Sequence, residues 1–171
     1  MLHKAIESDL DNIFEIYQGS IKEMHSRGVF QWGDFYPTKD ILAEDIYLGE
    51  LYKAVSHGEI LAITAINSEQ SPEYGQGYWL YGENFMCIHR LCVTASYMGQ
   101  GIGKQSMRLI EDFAAKCGAH SIRLDTLTQN EAAMRLYSAM GYEKRGLVRF
   151  PYRTGYYCLF EKSIEKLAKM L

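Results

Sequence analysis

The spacing of apolar positions predicts two amphipathic helices near the start of the chain. The first begins at Ser8, which stands three residues before an aspartate in the spacing of a helix cap, and it ends near Gly28. Its apolar residues recur three and four positions apart, as on one face of a helix: Leu10, Ile13, Phe14, Tyr17, Ile21 and Met24. The second is capped by Thr38 and ends at Gly49. The aromatic segment 29–37 between them is therefore predicted to be a loop.

Runs of apolar and β-branched residues predict the strands. The runs occupy residues 2–6, 51–56, 60–67, 85–93, 121–127, 142–149 and 154–162. His57 and Gly58 separate the second and third runs, so we expect these two to form a β-hairpin. The segment 68–82 is rich in Gly, Tyr and polar residues, and we expect a loop with an edge strand at 78–81.

Two further helices alternate with the later strands. The apolar face of the first is expected to contain Ile102, Ser106, Leu109, Ile110, Phe113 and Cys117. Gly118 stops this helix, Asn130 caps the next one and Gly141 ends it. The face of that second helix is predicted to hold Ala133, Leu136, Tyr137 and Met140. A short charged helix is expected after the last strand.

The order of these elements predicts the fold class. The strand, helix and strand between residues 85 and 127 form a βαβ unit, which requires two parallel strands. Hairpins before and after it make the sheet mixed. We therefore expect an α/β (α+β) fold with a mixed, mostly antiparallel central sheet, a central parallel βαβ unit and helices on both faces. A length of 171 residues fits one domain covering 1–171.

The charge balance limits the classes of partner. Lys and Arg number 18 and Asp and Glu number 21, which gives a net charge of -3. This weak acidity argues against nucleic acid or a membrane surface as the main partner. No apolar run approaches the roughly 18 residues that span a bilayer, and the first residues lack the apolar segment of a signal peptide. We therefore expect a cytoplasmic protein.

Cysteine and histidine spacing gives no sign of a metal site. Cys87, Cys92, Cys117 and Cys158 include no CxxC pair, and the five histidines have no zinc-binding spacing. Most of the cysteines lie in apolar segments. We expect small buried hydrophobic residues in a reducing compartment rather than disulfides, and no metal cofactor.

A glycine-rich turn in the segment 90–104 (RLCVTASYMGQGIGK) carries the strongest chemical signal. It places Gly99, Gly101 and Gly103 between an apolar strand and an amphipathic helix. Glycine lets the main chain approach a ligand closely, and the first N–H groups of a helix lack internal partners and favour an anion. The pattern predicts an anion site, with phosphate as the expected group. The alternative is a turn that only starts the helix.

Two common nucleotide-binding motifs do not fit this turn. A Walker A loop would need glycine at Met98 and serine or threonine at Gln105. A dinucleotide-binding loop would need glycine at Lys104, or glycine or alanine at Ser106, depending on which glycine begins it. A nucleotide-binding domain is therefore disfavoured.

Two segments resemble those of a known family. The segment 98–103 (MGQGIG) is similar to the diphosphate loop of the GNAT superfamily of N-acetyltransferases, Gln/Arg-x-x-Gly-x-Gly/Ala. Its glycines match, whereas Met98 replaces the leading Gln or Arg. The segment 130–142 (NEAAMRLYSAMGY) resembles the family's Asn-x-x-Ala…Tyr…Gly-Phe/Tyr signature. Both occur in the family's order with a strand between them, and the resemblance covers about residues 85–145.

The resemblance implies acetyl-CoA as cosubstrate and a set of binding residues. These are Leu91, Cys92, Val93, Met98, Gly99, Gln100, Gly101, Ile102, Gly103, Lys104 and Asn130. Loop amides would hold the diphosphate, with added positive charge from Lys104. The strand segment 91–93 would pair with the pantetheine arm, and the Leu91 N–H would stabilise the thioester oxyanion. Asn130 would bond to the pantetheine amides, or serve only as a helix cap.

The catalytic residues implied by the resemblance are Tyr137 and His89. In the family, the tyrosine that matches Tyr137 gives a proton to the CoA thiolate; the alternative is a core tyrosine. His89 interrupts an apolar strand and by alternation shares a face with Leu91 and Val93. Its neutral imidazole would accept the amine proton, with a core histidine as the alternative role and Glu83 as the alternative base.

The aromatic segment 30–36 lies where the family builds its acceptor pocket. We expect Trp32, Asp34 and Tyr36 to bind a small-molecule or peptide amine through ring faces and charge, unless the rings only pack together. The implied function is transfer of an acetyl group from acetyl-CoA to a primary amine by direct attack in a ternary complex. Alternatives are another acyl-CoA as donor and a non-catalytic CoA-binding sensor. The oligomeric state stays open, with a homodimer as one alternative.

Overall fold

A computed structural model describes residues 1–164 of the chain. The strands in that range are β1 (Leu2–Lys4), β2 (Leu51–Ser56), β3 (Glu59–Asn67), β4 (Phe85–Val93), β5 (Ser121–Leu127), β6 (Glu143–Val148) and β7 (Tyr157–Ser163). The helices are α1 (Leu10–Ser26), α2 (Lys39–Tyr47), α3 (Ile102–Lys116) and α4 (Glu131–Ala139). Short 3₁₀ turns occupy Glu7–Asp9, Pro72–Gln76 and Ala95–Tyr97. The charged helix predicted after the last strand falls on residues 165–171, outside the described range.

The contacts of the chain divide it into two compact units. The first contains residues 1–66 and 89–109, and the second contains residues 67–88 and the described chain from residue 110 onward. In the first unit the strand order is β1-β2-β3-β4, with antiparallel pairing of β2 to β1 and to β3. In the second unit the order is β4-β5-β7-β6, where β4 and β5 are parallel and β7 is antiparallel to both neighbours. This mixed, mostly antiparallel pairing confirms the predicted fold class and its parallel βαβ unit, β4–α3–β5.

The core of the first unit buries the apolar face of α1 with residues of α2, β2 and β3. Its fully buried members include Ile13, Tyr17, Leu42, Leu51, Ile63 and Ala65. Full burial of one large aliphatic side chain contributes about 1.5–3 kcal/mol, so this face fixes both helices on the strands. The predicted cap of α2 is confirmed, because the Thr38 hydroxyl accepts the Ile41 N–H at 3.3 Å. The predicted hairpin at His57 and Gly58 is confirmed as β2–β3.

The predicted start of the first helix at Ser8 is wrong. Residues 7–9 form a 3₁₀ turn and α1 begins at Leu10. The carboxylate of Asp9 accepts the Ile6 N–H at 2.8 Å and also binds the Lys53 ammonium group at 2.6 Å. The Asp9 carboxylate thus fixes the start of the 3₁₀ turn and makes no side-chain capping bond to α1. Its second partner, Lys53, lies too far along the chain for local spacing to reveal it.

A buried carboxylate in the second unit explains why the predicted edge strand at 78–81 does not form. Glu161 on β7 is fully buried and accepts the Leu80 N–H at 2.9 Å. It also binds Arg123 at 3.3 Å and Arg145 at 2.9 Å. The Tyr78 N–H still donates to the Arg145 carbonyl of β6 at 2.8 Å, but the side chain of Glu161 takes the Leu80 N–H. The pairing does not continue into a strand, and that prediction is wrong.

The buried face of α3 differs from its prediction. Its buried residues are Ser106, Met107, Ile110, Glu111, Ala114 and Ala115. Cys117, expected on the buried face, is exposed because α3 ends at Lys116 and Gly118 takes a left-handed conformation, φ 81°. The other three cysteines are buried as expected: Cys87, Cys92 and Cys158. None of the helices in residues 1–164 is long and apolar enough to cross a membrane.

Candidate functional site

A bulge-like distortion interrupts β4 in its second half. Arg90 has φ 55°, a left-handed conformation that residues other than glycine rarely adopt. Strict alternation of side chains requires continuous extended backbone. The inference that His89 shares a strand face with Leu91 and Val93 therefore does not hold across Arg90. Cys92 is buried, whereas His89, Leu91 and Val93 are each partly exposed.

Side-chain hydroxyl groups bind the carbonyl groups of this half of β4. The Thr64 hydroxyl on β3 donates to the His89 carbonyl at 3.1 Å. From α1, the Tyr17 hydroxyl donates to the Arg90 carbonyl at 2.7 Å and the Ser20 hydroxyl donates to the Val93 carbonyl at 2.9 Å. A buried carbonyl without a partner is costly, so these bonds stabilise the distorted strand. Leu91 thus lies in a short segment whose main chain is held on both sides.

The glycine-rich loop combines left-handed backbone with unbonded amide groups. Gly99 and Gly101 have φ 78° and 80°, and a Cβ added at either would meet no atom within 4 Å. The Gln100 N–H bonds to the Tyr97 carbonyl at 3.4 Å. Within residues 1–164, the N–H groups of 101–104 make no main-chain hydrogen bond, as expected for the first turn of a helix. The loop therefore presents consecutive donors beside open space.

The flanking residues of the loop differ in exposure. Lys104 and Gln100 are exposed, and Met98 is partly exposed. The amide group of Gln100 donates to the Ser96 carbonyl at 2.8 Å, which ties the loop to the preceding 3₁₀ turn. The chemistry available to an anion here is main-chain N–H groups, the positive end of α3 and one lysine.

Helix α4 of the second unit holds two of the predicted residues. The Asn130 side chain accepts the Ala133 N–H at 3.2 Å, which confirms its role as a helix cap. Tyr137 is buried and packs against Tyr142 and Phe160, with ring centroids 6.0 and 5.7 Å apart. Burial raises the pKa of Tyr137 above its ordinary value, so its phenol stays protonated through neutral pH.

Sequence reasoning missed a polar pair in this unit. Asp125 lies on β5 and accepts a 2.8 Å hydrogen bond from the hydroxyl of Tyr74. Burial raises the pKa of the Asp125 carboxyl, and the charge of Asp125 contributes to raising the pKa of Tyr137. The available signal was a lone carboxylate inside a strand whose other residues are buried. Tyr74 comes from a loop and carried no such signal.

The aromatic loop does not bring its three predicted residues together on one exposed surface. Trp32 is buried in the core of the first unit and contacts Tyr17 edge-to-face, with centroids 5.7 Å apart. The Tyr36 hydroxyl accepts a hydrogen bond from Arg90 at 3.0 Å. Asp34 is exposed. Of the three, the carboxylate of Asp34 is the group most open to a ligand.

Over residues 1–164, no three His, Cys, Asp or Glu residues form a group that could hold a metal ion.

A family model and several curated proteins match this sequence. The model of the Acetyltransferase (GNAT) family matches residues 10–142. The chain is 27% identical over 164 residues to the uncharacterized N-acetyltransferase YesJ of Bacillus subtilis, covering 94% of this chain and 88% of YesJ. It is 31% identical over 98 residues to N-acetyltransferase 8F1 of Rattus norvegicus, covering 57% of this chain but only 41% of the rat protein.

Solved structures share the fold along nearly the whole chain. An acetyltransferase of the GNAT family from Streptococcus agalactiae has a TM-score of 0.82 at 20% identity, covering 95% of this chain and 94% of that one. The yncA protein of Salmonella typhimurium, solved with its cofactor acetyl-CoA, has a TM-score of 0.71 at 17% identity, covering 96% and 94%. At these identities the structures establish the fold alone. The family match over most of the sequence, together with this fold, shows that the chain belongs to the Acetyltransferase (GNAT) family.

Proposed function

We propose that the chain transfers an acetyl group from acetyl-CoA to the primary amine of an acceptor, by direct attack in a ternary complex. The observation that carries the proposal is the run of unbonded amide donors at 101–104, at the start of α3, in a member of an acetyltransferase family. The yncA protein, which shares the fold, contains acetyl-CoA. Other acyl-CoA donors and binding without catalysis are the competing functions.

The glycine-rich loop is the proposed binding site of the CoA diphosphate. Its residues fit that group, because the space beside Gly99 and Gly101 is open and the following amides are available as donors. A negative group at the start of a helix is favoured by the helix dipole. Met98 offers no polar contact where the family has Gln or Arg, so the amides and Lys104 would supply the affinity.

The second half of β4 is the proposed site of the thioester. When bound, acetyl-CoA supplies the activated acetyl group. The main chain of Leu91, Cys92 and Val93 would pair with the pantetheine arm, as in addition of a strand. The N–H of Leu91 would polarise the thioester carbonyl, and a donor of this kind is worth about 100- to 1000-fold in turnover. Asn130, which caps α4, would also bond to the pantetheine amides.

The proposed proton transfers use His89 and Tyr137. The amine nitrogen bonds to the thioester carbon, the carbon–sulfur bond breaks, and His89 takes the proton that the amine loses. Tyr137 gives a proton to the departing sulfur. A thiol has a pKa near 8.5, so a phenol that stays protonated at neutral pH need give only limited assistance. A proton donor must be protonated before the reaction, and Tyr137 meets this condition, although its raised pKa also makes the phenol a weaker acid.

The acceptor side is proposed to lie at the aromatic loop. The exposed carboxylate of Asp34 would attract the positive charge of an amine. Trp32 and Tyr36, which are engaged in packing and in a hydrogen bond to Arg90, would act by fixing the loop that carries Asp34. Both a small molecule and a peptide amine fit this chemistry.

A screen of amines with acetyl-CoA tests the proposal. Free thiol and product mass are measured for small amines, peptide amino termini and lysine peptides, each with acetyl-, propionyl- and succinyl-CoA. Acetylated product with matching thiol release supports the proposal. Faster turnover with another acyl-CoA would show that this acyl-CoA, and not acetyl-CoA, is the preferred donor. Calorimetric binding of CoA without thiol release from any amine would establish the sensor function instead.

A further inference from the structure

Arg90 combines an uncommon main-chain conformation with a tightly bound side chain. Its φ of 55° lies in the left-handed region, where a side chain is disfavoured. Such residues persist only when surrounding contacts hold them, and they cluster at functional sites. Its carbonyl accepts the Tyr17 hydroxyl at 2.7 Å, so one hydrogen bond already fixes the distorted peptide group.

The Arg90 side chain reaches two further elements of the first unit. One terminal nitrogen donates to the Tyr36 hydroxyl at 3.0 Å, and the other forms an ion pair with Asp45 on α2. The Arg90 and Asp45 side chains are each only 11% exposed. The guanidinium carbon also lies 5.8 Å from the centre of the Tyr36 ring. Although burial opposes a charge, Tyr36 and Asp45 outweigh it and raise the pKa of Arg90.

Stability alone does not account for this arrangement. A buried ion pair contributes little net stability, because removing both charges from water costs about as much as their attraction returns. Burial raises the pKa of the Asp45 carboxyl despite the opposing effect of Arg90, as expected when loss of water outweighs the attraction of the partner. The Arg90 Nε is also buried and lacks a hydrogen-bond partner within residues 1–164.

We propose that Arg90 is a positioning residue that couples the aromatic loop and α2 to the distorted half of β4. Asp45 and Tyr36 hold the guanidinium group, and the guanidinium group holds the left-handed peptide that precedes Leu91. The inference rests on the proposed function, in which Leu91 polarises the thioester and the aromatic loop binds the acceptor. Arg90 itself touches neither substrate.

Arg90→Lys is the decisive variant, because it keeps a positive charge but loses the two-pronged contact with Asp45 and Tyr36. We expect kcat to fall about 10- to 100-fold, since a misplacement of about 1 Å at the reacting centre costs rate on this scale. CoA affinity in calorimetry should fall less than kcat, because the diphosphate loop is unchanged and only the pairing of 91–93 with the pantetheine arm is weakened. Arg27→Lys, in the exposed pair with Glu23 on α1, is the matched control and should change neither quantity.

Amide hydrogen exchange separates this inference from the proposed function. Arg90→Lys and Asp45→Asn should each speed the exchange of amides 89–93 and leave those of α3 unchanged. Unaltered exchange at 89–93 overturns the inference whether or not the chain is an enzyme. Absence of acetyl transfer by the wild-type protein, with faster exchange in the variants, defeats only the proposed function.

A double variant distinguishes positioning from the cost of an unpaired buried charge. Arg90→Met with Asp45→Leu removes both charges and is expected to fold with near wild-type thermal stability. If Arg90 positions β4, the double variant keeps the kcat defect and the fast exchange of amides 89–93. If kcat and the exchange of amides 89–93 both returned to wild-type values, Arg90 would have only a structural role as the partner of Asp45.

Discussion

The hydroxyl of Tyr74 donates a 2.8 Å hydrogen bond to the carboxylate of Asp125, across 51 residues of sequence. Tyr74 is 1% exposed, so its phenol has lost nearly all contact with water and depends on this one acceptor. Asp125 in turn contributes to raising the pKa of Tyr137, the proposed proton donor. A loop residue thereby fixes the charge environment of a residue on α4.

Tyr74→Phe should destabilise the protein. The substitution leaves a partly buried carboxylate oxygen without its donor, which costs about 1–3 kcal/mol in the free energy of unfolding. Tyr78→Phe is the control, because Tyr78 is 75% exposed and its loss should cost less than about 0.5 kcal/mol. Urea unfolding of both variants measures the difference, and equal midpoints would show that the Tyr74–Asp125 bond contributes nothing.

Tyr137→Phe should lower turnover more than affinity. Loss of a positioned proton donor reduces kcat by about 100-fold, the low end for such catalysis, because a thiolate is a good leaving group. The raised pKa of Tyr137 also predicts that the wild-type rate stays level on the alkaline side beyond pH about 10, the ordinary tyrosine value. Wild-type kcat in the phenylalanine variant would leave Tyr137 as a core residue.

The Asp9–Lys53 pair should make stability depend on acid pH. Burial acts to raise the pKa of Asp9, but the bonds from Lys53 and the Ile6 N–H outweigh it and lower that pKa below the ordinary 3.8. A lowered folded-state pKa means that this stabilisation is present above pH 3.8 and is lost as the pH falls through the folded-state value.

Asp9→Asn tests this dependence. The variant should be less stable than the wild type at pH 7, and the difference in unfolding free energy should shrink as the pH of the urea titrations falls below the ordinary carboxyl pKa of 3.8. A difference that stays constant or grows in acid would contradict the assignment.

The four thiols should differ sharply in reactivity. Cys117 is exposed, whereas burial raises the pKa of Cys87 and of Cys92 to about 12, and Cys158 is also buried with a raised pKa. Only the thiolate reacts with disulfide reagents. The native protein at pH 8 should therefore show one fast-reacting thiol that Cys117→Ser removes. Two or more fast thiols in the folded protein would contradict this burial pattern.

Local sequence signals predicted the elements whose causes are local. The Thr38 cap, the hairpin turn at Gly58 and the glycine at the end of α3 each depend on a few neighbouring residues. The glycine-rich loop belongs to the same class, because its backbone conformation follows from the glycines themselves. These features are visible in the sequence for that physical reason.

The features that local sequence signals did not predict depend on partners distant in the sequence. The left-handed Arg90 depends on Tyr17, Tyr36 and Asp45, and the absent edge strand at 78–81 depends on Glu161. No periodicity encodes such pairs, since each partner comes from a different element. The predicted strand face of His89 was affected most, because the alternation of side chains along β4 breaks at Arg90.

The central claim is that the glycine-rich loop binds the CoA diphosphate. Calorimetric titration of two variants, Gly101→Glu and Gly58→Glu, with acetyl-CoA tests this claim most directly. Both glycines are left-handed, at φ 80° and 82°, both face open space, and both variants add one negative charge, so backbone strain and net charge are matched. Only Gly101 lies at the proposed diphosphate site. The account predicts loss of detectable binding in Gly101→Glu and wild-type affinity in Gly58→Glu. Equal affinity in the two folded variants would contradict it.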